Sequence, residues 1–166
     1  MLSEILKTNV LAIFAHPLLQ IIILTFLPFL ELRASIPHGI LIAKQPWLLV
    51  FFTAVITNII LGLLLYLVLD KLIELLCKIP FIKKLYTAYI IKLQKRIHTT
   101  VEKYGEWGLA IFIGIPLPGS GVYSGALGAK ILGFTWKDYT IGCILGVFIA
   151  GIAVTIITLG GSAIFS

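Results

Sequence analysis

The sequence contains little charge and few residues that could form a soluble surface, a disulfide framework or a metal site. Only 12% of its 166 residues are charged, while 60% are hydrophobic. A soluble domain of this size normally carries about 25% charged residues. The two cysteines, Cys77 and Cys143, and the three scattered histidines form no metal-ligand pattern. An ordinary soluble domain is therefore excluded, and neither a metal nor another cofactor is expected.

Long apolar runs dominate what is present. Residues 47–69 and 139–165 contain no charged side chain, and each run is long enough for the roughly 20 helical residues that cross a bilayer. The pattern predicts an all-α integral membrane protein. No nucleophile–base pair accompanies the few acidic residues, so an enzyme is not expected.

The basic residues are concentrated in one segment. The net charge is +6, and most of the 13 Lys and Arg residues lie between Lys71 and Lys103. Such residues are typical of cytoplasmic loops beside the anionic inner leaflet. We therefore expect a multi-pass protein of the cell (inner, or plasma) membrane, with residues 70–106 in the cytoplasm. No zinc-ligand set or aromatic RNA-binding motif is present, so membrane lipids rather than nucleic acid are the expected partners.

Residues 70–106 also predict an amphipathic connector. After Pro80, apolar residues recur at helical spacing from Ile82 to Ile97. This favours a helix lying on the inner leaflet, and a solvated connecting helix fits the pattern equally well. The whole chain is predicted to be one membrane domain, with repeat one at 1–69, the connector at 70–106 and repeat two at 107–166.

The two repeats share an order of short and long apolar segments. In the first, a short apolar arm is interrupted by Glu31-Leu32-Arg33, and the arm at 34–43 reaches only about 15 Å, half the hydrocarbon thickness. In the second, residues 116–121 separate two short arms. Both patterns predict a re-entrant helical hairpin, and each is followed by a long helix that begins at Trp47 or Trp136.

The returning arms of the two hairpins also match residue by residue. The first arm carries small residues and a lysine that correspond at one constant offset to those of the second: Ser35, Gly39, Ala43 and Lys44 match Gly121, Gly125, Ala129 and Lys130. Recurrence at every fourth position favours close helix packing. Because an odd number of spans separates the repeats, we expect them to be inverted, as in many transporters.

Glu31 and Arg33 are the main candidate site residues. Opposite charges between Pro28 and Pro37 are costly in hydrocarbon and persist where the protein holds and uses them. Residues two apart point in different directions on a regular helix, but an unwound tip would let them meet. Desolvation disfavours the charged form of Glu31, and Arg33 favours it. Glu31 is therefore either a proton carrier or half of a permanent structural ion pair.

The other candidates lie on the first long helix and at the two tips: Pro37, Asn58, Pro116, Pro118, Gly119, Ser120, Gly121 and Tyr123. A glycine-rich turn can cradle an anion with its amides, or it can simply form the bend. An asparagine midway along a membrane helix can line a path or make an interhelical hydrogen bond.

Two motifs carry a resemblance to a known family. PFLELRASIP, from Pro28 to Pro37, and PLPGSG, from Pro116 to Gly121, resemble the paired motifs of the putative small multi-drug export protein family. That family is similar in architecture to the DedA, or VTT-domain, membrane proteins. The resemblance covers nearly the whole chain. It implies two facing re-entrant hairpins and a transport role, with proton coupling and lipid-phosphate translocation suggested by the DedA relatives.

These observations favour a small, proton-coupled exporter that moves a small or amphiphilic solute between the two tips. A homo-oligomer is expected, since so few helices would hardly shield two polar tips from lipid. Two alternatives stay open. One is a lipid flippase or scramblase of DedA type, acting on a polyprenyl-phosphate or a phospholipid. The other is a membrane structural or assembly factor that transports nothing.

Overall fold

The computed structural model describes residues 16–76, 78, 91, 105–117 and 119–165, and all regular structure within them is helical. The all-α prediction is confirmed for this part of the chain. The segments are α1 (Pro17–Phe26), α2 (Glu31–Pro37) with a π-helical extension (His38–Ile42), α3 (Trp47–Leu76), α4 (105–114), α5 (Val122–Ile131) and α6 (Trp136–Phe165). The amphipathic segment predicted from Ile82 to Ile97 lies outside the described residues, apart from Ile91.

Helices α3 and α6 are the long apolar elements, with 30 residues each. Their stretches Trp47–Lys71 and Trp136–Ser162 are apolar and long enough to cross a membrane, and less than half of each is buried. On α3 the exposed side chains include Phe52, Ile56 and Ile60, four residues apart. A continuous apolar stripe of this kind fits a helix that faces lipid.

The order short helix, turn, short helix, long helix occurs twice. It runs through α1, α2 and α3, and again through α4, α5 and α6. Both long helices begin at the tryptophans that the sequence indicated, Trp47 and Trp136. The inversion of the repeats and the insertion of the hairpins into a membrane stay predictions.

The chain divides into two compact units by its internal contacts. The first unit comprises the described residues 16–58 and 151–165. The second unit comprises the described residues 59–76, 78, 91, 105–117 and 119–150. The first unit contains the hairpin of α1 and α2. The second contains the hairpin of α4 and α5.

Gly39 sets the packing of the first hairpin. A Cβ atom added there would lie 2.6 Å from Val50 Cγ1 and 3.0 Å from Ile21 Cδ1. Val50 and Ile21 are themselves fully buried. The missing side chain therefore lets the π-helical segment approach both α1 and the first turn of α3.

Gly125 plays the corresponding part in the second hairpin. A Cβ atom there would lie 2.6 Å from Ile113 Cγ1, so α5 packs closely on α4. Gly39 and Gly125 are one of the residue pairs that the constant offset matched. In each hairpin this glycine contacts the preceding arm, which gives the sequence match a shared physical cause.

Pro37 accounts for the change of helix type after α2. Proline has no amide hydrogen, so the carbonyl four residues earlier loses its usual backbone donor. The chain then widens, and the amide of Ala43 donates to the carbonyl of His38 five residues back, at 2.9 Å. π-Helical turns are rare and occur mostly as single-turn insertions beside α-helical segments, as here.

We predict that Gly39→Ala destabilises the protein, whereas Gly160→Ala does not. Both glycines lie in helical segments, so each substitution gains a similar helix propensity, about 1 kcal/mol. No atom lies within 4 Å of a Cβ added at Gly160, while overpacking at Gly39 costs about 1–3 kcal/mol. Thermal unfolding of the purified variants in detergent measures the difference. Equal midpoints for the two variants would contradict the packing described for the first hairpin.

Candidate functional site

The tip of the first hairpin is apolar on the outside and acidic on the inside. The turn between α1 and α2 exposes Leu27, Phe29 and Leu30, with Phe29 69% exposed. The next residue, Glu31, is only 3% exposed. The carboxyl group is therefore turned into the protein at a point where its neighbours present hydrocarbon to the surroundings.

The backbone of Glu31 lies in the left-handed region, with φ 47°. This conformation costs an L-residue roughly 1–2 kcal/mol and is often found where a site requires it. Because Glu31 departs from regular helical geometry, its side chain approaches that of Arg33, two residues away. Glu31 Oε2 and Arg33 NH1 lie 3.9 Å apart.

The distance between Glu31 Oε2 and Arg33 NH1 defines a loose ion pair. A charge-assisted hydrogen bond between a guanidinium and a carboxylate is normally about 2.7–2.9 Å long. At 3.9 Å the attraction is Coulombic, without the short contact that typically anchors a structural pair. The side chain of Arg33 is 14% exposed, so both charges are largely removed from solvent.

Asn58, on α3, is the next polar group beside the carboxyl. It is 1% exposed, and its Nδ2 donates a long hydrogen bond of 3.5 Å to Glu31 Oε2. Its Oδ1 is buried and has no hydrogen-bond partner among the residues that the structure describes. The Asn58 amide therefore donates a hydrogen bond to Glu31 through Nδ2 and has a second polar atom, Oδ1, that can accept one.

Two hydrogen bonds tie α1 to the segment that follows the tip. The hydroxyls of Thr25 and Ser35, both fully buried, share a hydrogen bond of 2.8 Å, and Thr25 also donates to the carbonyl of Ile21 at 2.7 Å. Further along, His38 Nε2 and Gln20 Oε1 lie 2.8 Å apart. These contacts hold the two arms together and so fix where Glu31 lies.

Sequence reasoning missed Thr25 and Gln20. The signal was available, because they are the polar residues of an otherwise apolar arm from Pro17 to Leu30. A buried polar group almost always has a partner. Their positions could therefore have pointed to hydrogen bonds with the polar residues of the returning arm.

At the second tip, the polar groups mainly stabilise the turn. Ser120 Oγ lies 2.6 Å from the carbonyl of Ile115 and 2.8 Å from that of Leu117, and Ser124 Oγ donates to the carbonyl of Gly119 at 2.7 Å. These bonds favour a structural role for the Ser120 hydroxyl.

The two glycines of this turn have positive φ, 84° at Gly119 and 122° at Gly121, which few other residues adopt. Pro116 is partly buried and Tyr123 half-buried, both in the second unit, while Pro118 lies outside the described residues. The structure thus groups Glu31, Arg33 and Asn58 in the first unit. That the second tip joins them in one site stays a prediction.

Lys130, the matched lysine of the second hairpin, is held by contacts within its own unit. Its Nζ lies 2.6 Å from Asp70 Oδ2 and 4.3 Å from the centroid of the Tyr66 ring. Tyr66 in turn stacks on Tyr139 at 4.3 Å. Across the described residues, no three His, Cys, Asp or Glu side chains lie close enough to share a metal ion.

Comparison with known families identifies the chain. Residues 31–153, from α2 to the second half of α6, match the family described as putative small multi-drug export protein. The chain belongs to this family. No curated protein and no solved structure matches it.

The description of this family is that of an export protein and names no class of enzyme. Together with the two long apolar helices, this membership supports a membrane exporter. The likeness to DedA proteins stays a prediction.

We predict that the Thr25–Ser35 hydrogen bond contributes to the stability of the hairpin. Thr25→Val preserves shape but leaves Ser35 buried without this partner, at a cost of about 1–3 kcal/mol. In the double variant Thr25→Val/Ser35→Ala the loss should be smaller than the sum of the single losses. Thr155→Val is the matched control, since the hydrogen bond of Thr155 Oγ1 goes to the carbonyl of Gly151 in its own helix. If the stability losses of the two single variants add up exactly to that of the double variant in thermal unfolding, the Thr25–Ser35 hydrogen bond does not contribute to stability.

Proposed function

We propose that this protein is a proton-linked exporter of a small or amphiphilic solute, and that Glu31 binds and releases the proton. The observation that carries the proposal is a carboxyl group 3% exposed whose partner guanidinium lies 3.9 Å away. Family membership supports export in general. The proton role of Glu31 is our addition.

Two opposing energies of similar size act on the Glu31 carboxylate. Removing a carboxylate from water costs several kcal/mol even after the protein relaxes. Attraction to a guanidinium about 4 Å away returns about 4 kcal/mol at an effective dielectric constant near 20. Because the two nearly cancel, a modest change in hydration can shift Glu31 between its charged and neutral forms. A short bidentate pair would favour the charged form far more strongly.

The amide of Asn58 can serve both forms of Glu31. Its N–H donates to the carboxylate at 3.5 Å. After a half-turn of the amide, its Oδ1, which has no partner among the described residues, would accept the O–H of the neutral acid. A single side chain thus supplies a donor for one state and an acceptor for the other.

The contacts of the surrounding hairpin favour a functional site at its tip over a turn that only reverses the direction of the chain. Glu31 keeps a strained left-handed backbone, and hydrogen bonds between the arms hold the tip in place. Strain of this kind persists where the surrounding contacts over-determine it. A carboxyl group held in position beside an amide is the arrangement that reproducible proton transfer requires.

The proposal includes the organisation expected from the sequence. Residues 70–106 would lie in the cytoplasm, and the protein would work as a homo-oligomer in the cell membrane. Cross-linking and accessibility labelling can test each of these points independently of transport.

We predict that Glu31→Gln abolishes proton-dependent flux, because glutamine keeps the shape and polarity of the neutral acid but cannot release a proton. Proteoliposomes under a pH gradient would be loaded with ethidium, carboxyfluorescein or a short-chain fluorescent phospholipid. The variant should reduce transport to the level of empty liposomes. Glu74→Gln is the control, because Glu74 is an exposed acid at the end of α3.

Unaltered flux in Glu31→Gln, with a folded protein by circular dichroism, would reject the proton role. Movement of the phospholipid without either dye would instead favour the lipid flippase. The third alternative, a structural factor, predicts no flux of any probe in the wild type.

A further inference from the structure

An open groove lies between α3 and α6 within the first unit. It has a volume of about 260 Å³ and presents only apolar surface. Its walls come from the first two turns of α3 and from residues 152–159 of α6. The main lining side chains are Trp47, Leu48, Phe51, Phe52, Ile156 and Leu159. An occupant of this groove would therefore meet hydrocarbon on every wall.

The floor of the groove is formed by its two buried lining residues, Phe51 and Thr155. α6 approaches α3 closely here because Gly151 has no side chain: a Cβ atom added there would lie 3.0 Å from Phe51 Cε2 and 2.7 Å from Val55 Cγ2. The Thr155 hydroxyl donates to the carbonyl of Gly151 at 2.7 Å. The floor is thus closed by packing, and its hydroxyl is already satisfied within α6.

The position of the groove indicates a hydrocarbon occupant. It is lined by parts of two helices that are apolar and long enough to cross a membrane. Leu48, Phe52 and Ile156, at its rim, are each at least half exposed, and in a bilayer such side chains meet lipid chains rather than water. An apolar cavity of about 150 Å³ already holds a benzene molecule. The larger groove has room for part of an alkyl chain.

Lys44 lies at the same end of α3 as the groove. It is exposed and comes three residues before Trp47, which lines the groove. Its backbone has a left-handed φ of 49°, and the next residue holds this turn: the amide of Gln45 donates to the carbonyl of Gly39 at 2.9 Å. A lysine and a tryptophan so close together are typical of the boundary between lipid hydrocarbon and headgroups.

The positive charge of Lys44 has no counter-charge in the described part of the first unit. The sole carboxylate among these residues, Glu31, is buried near Arg33. The matched lysine of the second hairpin differs, since Lys130 Nζ lies 2.6 Å from Asp70 Oδ2. A phosphate group at the membrane surface would supply the negative charge that Lys44 lacks.

We propose that this groove binds one membrane phospholipid, with an acyl chain between α3 and α6 and the phosphate beside Lys44. The apolar walls select a chain, and the cation at the interfacial end selects a phosphate. Lys44 and Trp47 place these two requirements three residues apart. The lipid is a bound component of the protein at a site separate from Glu31, and it is not the exported solute.

A titration with two matched lipids tests the role of Lys44. Detergent-solubilised protein would be titrated with dioleoylphosphatidylcholine or with dioleoylglycerol, which has the same chains but no phosphate, and native mass spectrometry would count the bound lipid. We expect one phosphatidylcholine per chain and about fivefold weaker binding of the diacylglycerol. Lys44→Gln should weaken phosphatidylcholine binding by a similar factor and leave the diacylglycerol unchanged, while Lys44→Arg should match the wild type.

A variant at the floor tests the role of the groove. Thr155→Phe places a ring where the chain would lie, and displacing two methylene groups should weaken binding of both lipids about tenfold. Thr155→Val, which keeps the volume, is the first control. Ile157→Phe is the second, because Ile157 is an exposed residue of α6 that does not line the groove. Both controls should bind as the wild type does.

Fluorescence of Trp47 locates the bound chain. In a Trp107→Phe/Trp136→Phe background, one equivalent of a phosphatidylcholine with brominated chains should quench Trp47, and Thr155→Phe should remove this quenching. If Thr155→Phe does not fold, the comparison of Lys44→Gln with the two lipids still decides.

Two results would overturn the inference. One is equal binding of phosphatidylcholine by the wild type, Lys44→Gln and Thr155→Phe, which would mean that lipid contacts the general surface of the helices. The other is a change of oligomeric mass in Thr155→Phe with unchanged lipid binding, which would assign the groove to a second copy of the chain.

Discussion

The structure depends on one electrostatic constraint, which is the burial of the Glu31 carboxyl beside Arg33 in an apolar hairpin. Charged groups in such a place destabilise a protein unless they compensate each other. Compensation here occurs at 3.9 Å, close enough for attraction and too far for a short hydrogen bond. The two charges therefore compensate each other without a short hydrogen bond between Arg33 NH1 and Glu31 Oε2.

The rest of the first unit keeps this pair in place. The absence of a side chain at Gly39 brings the returning arm onto Ile21 and Val50. The Thr25–Ser35 hydrogen bond joins the arms one turn beyond Glu31. With the arms fixed, the left-handed backbone at Glu31 directs the carboxyl towards Asn58. Packing, backbone strain and hydrogen bonding therefore all contribute to the position of the Glu31 side chain.

Part of this arrangement could be predicted from the sequence. Glu31 and Arg33 are conspicuous because charges are rare in apolar segments, and Trp47 and Trp136 mark the starts of the long helices. The match of Gly39 with Gly125 reflects similar packing in the two hairpins. These features follow from local composition and spacing, which a sequence displays directly.

Other features depend on contacts between distant residues. Asn58 reaches Glu31 from 27 positions away, and no periodicity specifies which face of α3 meets the tip. Ser120 was a candidate for solute binding, but its hydroxyl contacts carbonyls of its own turn. The sequence also predicted a returning arm that starts at residue 34, but α2 already begins at Glu31. The sequence does not show this earlier start, because a residue with a left-handed backbone can begin a helix without a recognisable sequence signal.

The central claim is that the buried Glu31 carboxyl exchanges a proton, and infrared titration tests it most directly. Protein in nanodiscs would be followed through the carbonyl stretch of a neutral carboxylic acid while the pH is varied. The account predicts a band that appears on acidification in the wild type and is missing from the spectrum of Glu31→Gln. A spectrum in which Glu31 never changes protonation while the protein stays folded would contradict it and leave a permanent ion pair.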